Sequence, residues 1–305
     1  MMSSTVVRLP VLGDAGMHQI AVSGHGEPHS PRRLLCFPGM LETREGFDSL
    51  IRQTRAAQIF ALDFAGRGDS DYLPGVSNYR MSGCLRDASV AYSYVLGTIA
   101  QRAMFPDLRP LFPFDMPLPD EPHIHLVGNS MGGLIGIFLA AQQPAALRSV
   151  VINDVGCLLS WASLITLFGA FGTSSLSSSP IQSLSQGSRQ LAERLSVDQK
   201  LISAILQPSY LDLPHRRDMA GLNFRQVFKE VDVPVLVIYS ADSPIFTSPV
   251  RKVMRDLPSN YSFLKIDGKA HPVAYDRDVS DAILRFMDAA EKSSSVDSYR
   301  TTVTA

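Results

Sequence analysis

A serine held between two glycines is the first place in this sequence where chemistry could occur. Gly128, Asn129, Ser130, Met131 and Gly132 spell G-x-S-x-G. The hydrophobic pattern changes around them: residues 123–127 read as a strand, and residues 131–143 read as a helix stopped before Pro144. A serine on a tight strand-to-helix turn has its hydroxyl lifted clear of the sheet. Flanking glycines relieve the crowding that such a turn imposes. The helix N-terminus below it offers free N–H groups and a partial positive charge to any oxyanion formed there. The hydroxyl still needs a base, and the chain has seven histidines. His18, His25 and His29 precede the first motif and are expected at the surface. His123 and His125 alternate within a strand and are expected to help position it. His215 lies in the polar run His215, Arg216, Arg217, Asp218. His271 differs from all of these. It follows a strand at 261–266 through Asp267, Gly268, Lys269 and Ala270, just before the last predicted helix. Imidazole titrates near neutrality, so it can take the serine proton and return it to a leaving group.

These residues need elements to hold them. Short apolar runs at 33–37, 58–64, 123–127, 148–152, 234–239 and 261–266 predict strands. Between them lie longer helical patterns. Leu85, Ala88, Ala91, Tyr92, Val95, Leu96 and Ile99 predict a helix over 79–100, and others are predicted at 131–143 and 279–290. Such alternation predicts a mostly parallel sheet wrapped by helices. Two segments interrupt it. Residues 101–122 carry Pro106, Pro110, Pro113, Pro117, Pro119 and Pro122, a density that forbids a helix and suggests an excursion or insert. Residues 156–230 combine helical stretches with a serine-rich piece at 173–188, where a lid inserted into the sheet domain would sit. The expected organisation is a core formed by 1–155 and 231–291, a cap at 156–230 and a disordered tail at 292–305.

The bulk composition excludes several classes. With 305 residues, 45% hydrophobic and 19% charged, the chain can bury a sizeable core. Its 28 basic and 29 acidic side chains leave a formal charge of -1, with no general pull toward nucleic acid or a membrane surface. Cys36, Cys84 and Cys157 are scattered and odd in number, which argues against a disulfide framework. The first ten residues are too polar for a signal peptide, and 158–171 falls short of a membrane span. A soluble, cytoplasmic protein acting on a small molecule is expected. There is no P-loop, no dinucleotide-binding glycine motif and no metal-ligand spacing, so no cofactor is implied.

Four motifs recur together: Phe37-Pro38-Gly39-Met40, the turn from Asp63 through Gly66, Gly68 and Ser70 to Asp71, Gly128 to Gly133, and Asn153-Asp154-Val155-Gly156. In this order, over about residues 32–291, the chain resembles α/β-hydrolase-fold enzymes. The resemblance implies a twisted, mostly parallel sheet with helices on both faces and a helical cap insertion. It implies an oxyanion hole made by the backbone N–H groups of Met131 and Met40, with Pro38 where histidine is common. One such donor is typically worth about 3 kcal/mol of transition-state stabilisation. The turn after Asp63 would be structural support. The resemblance places the base at His271, on a loop able to swing over Ser130, in the family order serine, acid, histidine, and leaves the acid open. Asp242, after the strand at 234–239, is favoured, although the family spacing falls one residue later, on Ser243. Asp154, at the end of the preceding strand, is the alternative that some members use, and a chain with neither would be crippled.

Three functions follow. One is a serine esterase acting on a small, partly apolar acyl substrate. Another is a C–C bond hydrolase acting on a dicarbonyl. The third is a ligand-binding protein without turnover. Serine at the elbow argues against epoxide hydrolase and dehalogenase chemistry, which use aspartate there. Apolar residues of the insertion, such as Leu158, Trp161, Leu164 and Phe168, would be mainly core with some roofing the pocket. Arg216 and Arg217 could meet a substrate carboxylate.

Overall fold

The computed structural model describes residues 5–27, 30, 32–54, 57–104, 123–172, 189–268 and 270–292. Its centre is built from fully buried strands. β3 (Arg32–Phe37), β4 (Gln58–Asp63), β5 (His123–Asn129), β6 (Leu147–Asn153) and β10 (Val235–Ser240) read as almost continuous apolar runs. A strand covered on both faces needs such a run rather than an alternation. β11 (Tyr261–Ile266) closes one edge and does alternate, with exposed Phe263 and Lys265.

Two further strands, β1 (Thr5–Gly13) and β2 (Gly16–Gly26), form an antiparallel hairpin paired through β2 to β4. Among the described residues the sheet has eight strands in the order β1-β2-β4-β3-β5-β6-β10-β11. From β4 to β11 every neighbouring pair is parallel. The hairpin was not expected from the sequence. β1 buries only Val11, so it lacks the apolar run that marked the central strands.

Helices cover both faces, and each face has its own core. On one side, residues of the helices Met81–Met104 and Met131–Ala140 pack with Leu35, Phe37, Leu126 and Ile152. On the other, Leu50 and Ile51 of the helix Asp48–Gln53, and Ile283, Phe286 and Met287 of the helix Arg277–Lys292, pack with Leu34, Cys36, Val127 and Val151. Alternate residues of one strand therefore serve opposite cores, as the pleat requires. The first of these helices spans Met81–Met104. The prolines that follow, the serine-rich piece and the tail beyond Lys292 lie outside the described residues.

The segment between β6 and β10 is not purely helical as expected. It adds a three-stranded antiparallel sheet, β7 (Leu158–Ser160), β9 (Gly221–Asn223) and β8 (Arg216–Arg217), in the order β7-β9-β8. Strands of two or three residues are too short to leave a period in the sequence. Helices occupy Trp161–Gly172 and Gln199–Ile205, the latter capped by Asp198, whose side chain accepts from the Lys200 N–H. Among the described residues, no helix is long and apolar enough to cross a membrane.

Candidate active site

Because β5, β6, β10 and β11 run parallel, their carboxyl ends meet at one edge of the sheet, where ligands of open α/β sheets gather. Ser130 directly follows β5, Asp154 directly follows β6, Ser240 ends β10, and His271 lies beyond β11.

Ser130 sits at the bend before the helix Met131–Ala140 with φ 47 and ψ -114. That backbone is strained for a residue with a side chain, by about 1–3 kcal/mol. It is held by neighbours: the Ser130 N–H donates to the Asn153 carbonyl at 2.8 Å. The glycines on each side are required sterically. A Cβ on Gly128 would lie 2.4 Å from the Gly133 nitrogen, and one on Gly132 would lie 2.1 Å from the Phe37 oxygen. The second contact also shows how closely the loop after β3 presses on the elbow. That loop carries Met40.

The hydroxyl of Ser130 lies 3.0 Å from His271 Nε2, and His271 Nδ1 lies 2.8 Å from Asp154 Oδ2. Asp154 is fully buried and also has positive φ, at 58. Aspartate tolerates the left-handed region better than most residues. Its other oxygen accepts the Ser240 N–H at 3.2 Å, and Oδ2 accepts the Ser243 hydroxyl at 2.6 Å. Ser243 in turn accepts the N–H groups of Ile245 at 3.0 Å and Phe246 at 2.8 Å. Its lone pairs are engaged, so its proton is directed at Asp154.

The preference for Asp242 as the acid is corrected by this arrangement. Asp242 is exposed at the turn after β10, with its N–H on the Gly268 carbonyl. The next residue, Ser243, is the one turned inward, onto Asp154. Residue 243, where the family spacing falls, is part of the cluster, but a hydroxyl occupies it and the carboxylate against His271 follows the neighbouring strand.

The loop bearing His271 is clamped at both ends. Asn153 uses its side-chain amide to donate to the Val273 carbonyl at 2.8 Å and accept its N–H at 2.9 Å. Ser240 donates to the Gly268 carbonyl and accepts the Ala270 N–H. Asn153 was visible in the sequence only as part of a motif, and nothing local marked Ser240.

The N–H groups expected to form an oxyanion hole belong to Met40, in the loop after β3, and Met131, the first residue of its helix. Among the described residues, neither N–H has an acceptor in the protein. The Gly39 N–H is engaged by Glu42 Oε2 at 2.8 Å, and the same oxygen accepts from the Asn129 amide at 3.0 Å. Tyr275 donates to Asn129 Oδ1 at 2.5 Å, and burial holds its phenol well above the ordinary range, so it stays a donor. This chain of bonds ties the loop to the residue before the serine.

The turn after Asp63 supports the site from the side. Asp63 accepts the N–H groups of Arg44 at 2.7 Å and Asp69 at 3.0 Å and pairs with the Arg44 guanidinium. Burial raises its pKa despite these bonds. His29 is outside the described residues, and the other described histidines lie elsewhere. His18 is not a free surface residue, since its ring bonds Asp87 at 2.9 Å, which raises its pKa despite burial. His125 is fully buried at the opposite end of β5. Arg216 and Arg217 are exposed on β8. The three cysteines are free and buried, and burial pushes Cys84 up to about 11 and Cys157 to about 12. Among the described residues, no group of side chains could hold a metal ion.

Geometry of this kind can pass a proton from a hydroxyl to an imidazole whose cation a carboxylate stabilises, beside two free amides. The comparisons with known proteins agree with the fold. A family model described as "Alpha/beta hydrolase family" matches residues 24–282. A 3-hydroxybutyrate-oligomer hydrolase of Cupriavidus necator is 28% identical over 161 residues, 52% of this chain and 46% of that protein. The match thus spans about half the length of that curated relative. An α/β hydrolase from Novosphingobium aromaticivorans superposes with a TM-score of 0.65 at 20% identity, covering 94% of this chain and 99% of that one. A thermophilic esterase from Thermogutta terrifontis gives 0.64 at 14% identity, with 94% and 99% covered.

Proposed function

The chain belongs to the alpha/beta hydrolase family, and from that premise we propose that it is a serine hydrolase cleaving carboxylic esters through an acyl-enzyme. One observation carries the reading: Ser130, His271 and Asp154 stand in an unbroken hydrogen-bonded line, 3.0 Å and 2.8 Å per step. In the first step His271 Nε2 takes the Ser130 proton as Oγ bonds to the carbonyl carbon. The carbonyl electrons move to the oxygen, which the Met40 and Met131 N–H groups receive. Collapse of this tetrahedral species expels the alkoxide, which leaves with the proton from His271. Water then repeats the sequence and releases the acid. Asp154 fixes the tautomer and stabilises the imidazolium without taking the proton.

The pairing of Asp154 with His271 supports turnover over the ligand-binding alternative, which rested on a displaced Asp242. For the substrate, the reading is a small ester with an apolar part. The Cupriavidus relative, named for 3-hydroxybutyrate oligomers, makes short hydroxyacid esters a sensible probe. The test compares turnover of p-nitrophenyl acetate and butyrate, 3-hydroxybutyrate dimers and trimers, and a vinylogous 1,5-diketone. Ester cleavage abolished in Ser130→Ala is expected. Turnover of the diketone alone would replace this reading with carbon–carbon bond hydrolysis.

A further inference from the structure

The turn after β4 holds a charged side chain that the mechanism above leaves unused. Arg67 is 0% exposed and heads the fully buried side chains by volume. Arginine keeps its proton under all conditions a protein meets, so a full positive charge lies inside the molecule. Among the described residues no carboxylate forms an ion pair with it. Asp87, the buried acid whose field reaches it, is engaged by His18 at 2.9 Å and by the Ala65 N–H at 2.9 Å.

The guanidinium instead addresses neutral acceptors, and those acceptors are not random. Nε donates to the Met40 carbonyl at 2.9 Å, Nη1 to the Ala65 carbonyl at 2.9 Å, and Nη2 to the Tyr210 hydroxyl at 3.1 Å. The Tyr210 hydroxyl donates onward to the Met131 sulfur at 3.1 Å, and Nη2 itself lies 3.9 Å from that sulfur. Met40 and Met131 are the two residues assigned to the oxyanion hole. One guanidinium therefore reaches both sides of the hole, directly on one side and through a buried phenol on the other.

We propose that Arg67 is a positioning residue for the oxyanion hole, fixing the Met40 peptide directly and Met131 through Tyr210. Its unpaired charge favours the negative oxygen that forms between their N–H groups. Such a charge acts in a medium of low dielectric and needs no reorganisation when the oxyanion appears. An isolated buried charge is costly to fold around, which argues that something other than stability retains it. Tyr210 belongs to the insertion, and the insertion docks on this same turn. The Gly68 N–H donates to the Ser196 carbonyl at 2.8 Å and the Asp198 N–H donates to the Gly66 carbonyl at 2.8 Å, two backbone bonds that set Arg67 opposite Val197 in an antiparallel bridge. The hole is thus fully braced only when the insertion is seated.

The proposal rests on the serine-hydrolase reading, and the test separates the two. A trifluoromethyl ketone accepts Ser130 Oγ at its carbonyl carbon, places its oxyanion in the hole and leaves the serine proton on His271. Its inhibition constant is measured with kcat and KM for p-nitrophenyl butyrate in the wild type, Arg67→Met, Arg67→Lys and Tyr210→Phe. If the wild type neither turns over the ester nor binds the ketone, the hydrolase reading itself fails. Given an active wild type, Arg67→Met should lose about 10- to 100-fold in kcat with KM little changed, and ketone affinity should fall in parallel. Arg67→Lys should recover part of that loss, and Tyr210→Phe should show a smaller loss, about 3- to 10-fold. A folded Arg67→Met with wild-type kcat and ketone affinity overturns the proposal. Should Arg67→Met not fold, unchanged ketone affinity in both Arg67→Lys and Tyr210→Phe overturns it equally.

Discussion

Two lines of serine, histidine and carboxylate run through this molecule, one at each end of the sheet. At the carboxyl edge stand Ser130, His271 and Asp154. At the amino end, His125 Nδ1 meets the Ser149 hydroxyl at 2.8 Å and His125 Nε2 meets Glu291 at 3.0 Å. The connectivity and distances are nearly the same, yet the surroundings are opposite. His271 is partly open to solvent, whereas His125 and Ser149 are 0% exposed. The outer line has a strained serine at a helix N-terminus with free amides nearby. In the inner line both partners sit on paired strands, with His125 and Ser149 opposite each other across β5 and β6 just past a register shift at Ile124/His125. Glu291 is further neutralised by Arg32, through bonds of 2.8 and 2.5 Å. Burial alone would raise its pKa, but the bonds from Arg32 and His125 outweigh this and hold it well below the ordinary carboxylate range. Burial in turn lowers the pKa of His125 despite its bond to Glu291. The lesson is that a hydrogen-bonded triad is not chemistry by itself. Access, strain on the hydroxyl and donors for the developing charge separate a candidate active site from a structural clasp.

This contrast can be broken by paired substitutions. The largest effect is expected at the serines. Ser130→Ala should lower ester turnover by about 10⁴-fold or more, while Ser149→Ala should leave it within about twofold. Comparable losses from both would erase the distinction. The carboxylates come next: Asp154→Asn should cost about 10³- to 10⁴-fold in kcat, whereas Glu291→Gln should leave kcat near wild type. Glu291→Gln should instead lower stability at neutral pH by about 1–3 kcal/mol, read from urea midpoints, because it breaks a partly buried charged cluster.

The pH dependence of that loss has a defined sign. A carboxyl with a depressed folded pKa contributes stability above its unfolded pKa and loses it as pH falls toward the folded value. The gap between wild type and Glu291→Gln should therefore be full at pH 7 and narrow progressively below the ordinary glutamate range. A gap that widens in acid would contradict the assignment. The smallest effect is expected at the exposed acid: Asp242→Asn should change kcat by no more than about twofold, since its side chain lies outside the cluster.

How much of this was legible in the sequence differs between the two ends. The bend that carries Ser130 could be read because its signal is local, a strand–turn–helix around glycines, while the place of His271, on a loop before the last helix, came from the resemblance. The central strands were equally plain, since strands buried on both faces need unbroken apolar runs. The acid was less so. Which strand end faces the imidazole is set by three-dimensional order across β6, β10 and β11, and spacing along the chain could only bring Ser243 to notice. The inner clasp left no trace, because His125 and Glu291 are 166 residues apart and join only when the last helix packs. Arg67 was hidden for the same reason: its partners Met40, Met131 and Tyr210 come from three separate segments.

The central claim is that the strained serine at the carboxyl edge, and not its buried counterpart, is the nucleophile. A fluorophosphonate probe followed by intact mass and peptide mapping tests it directly. The account predicts one adduct, on Ser130, absent in Ser130→Ala and formed far more slowly in Asp154→Asn. No adduct on the folded wild type, or an adduct that persists when Ser130 is replaced, would contradict it.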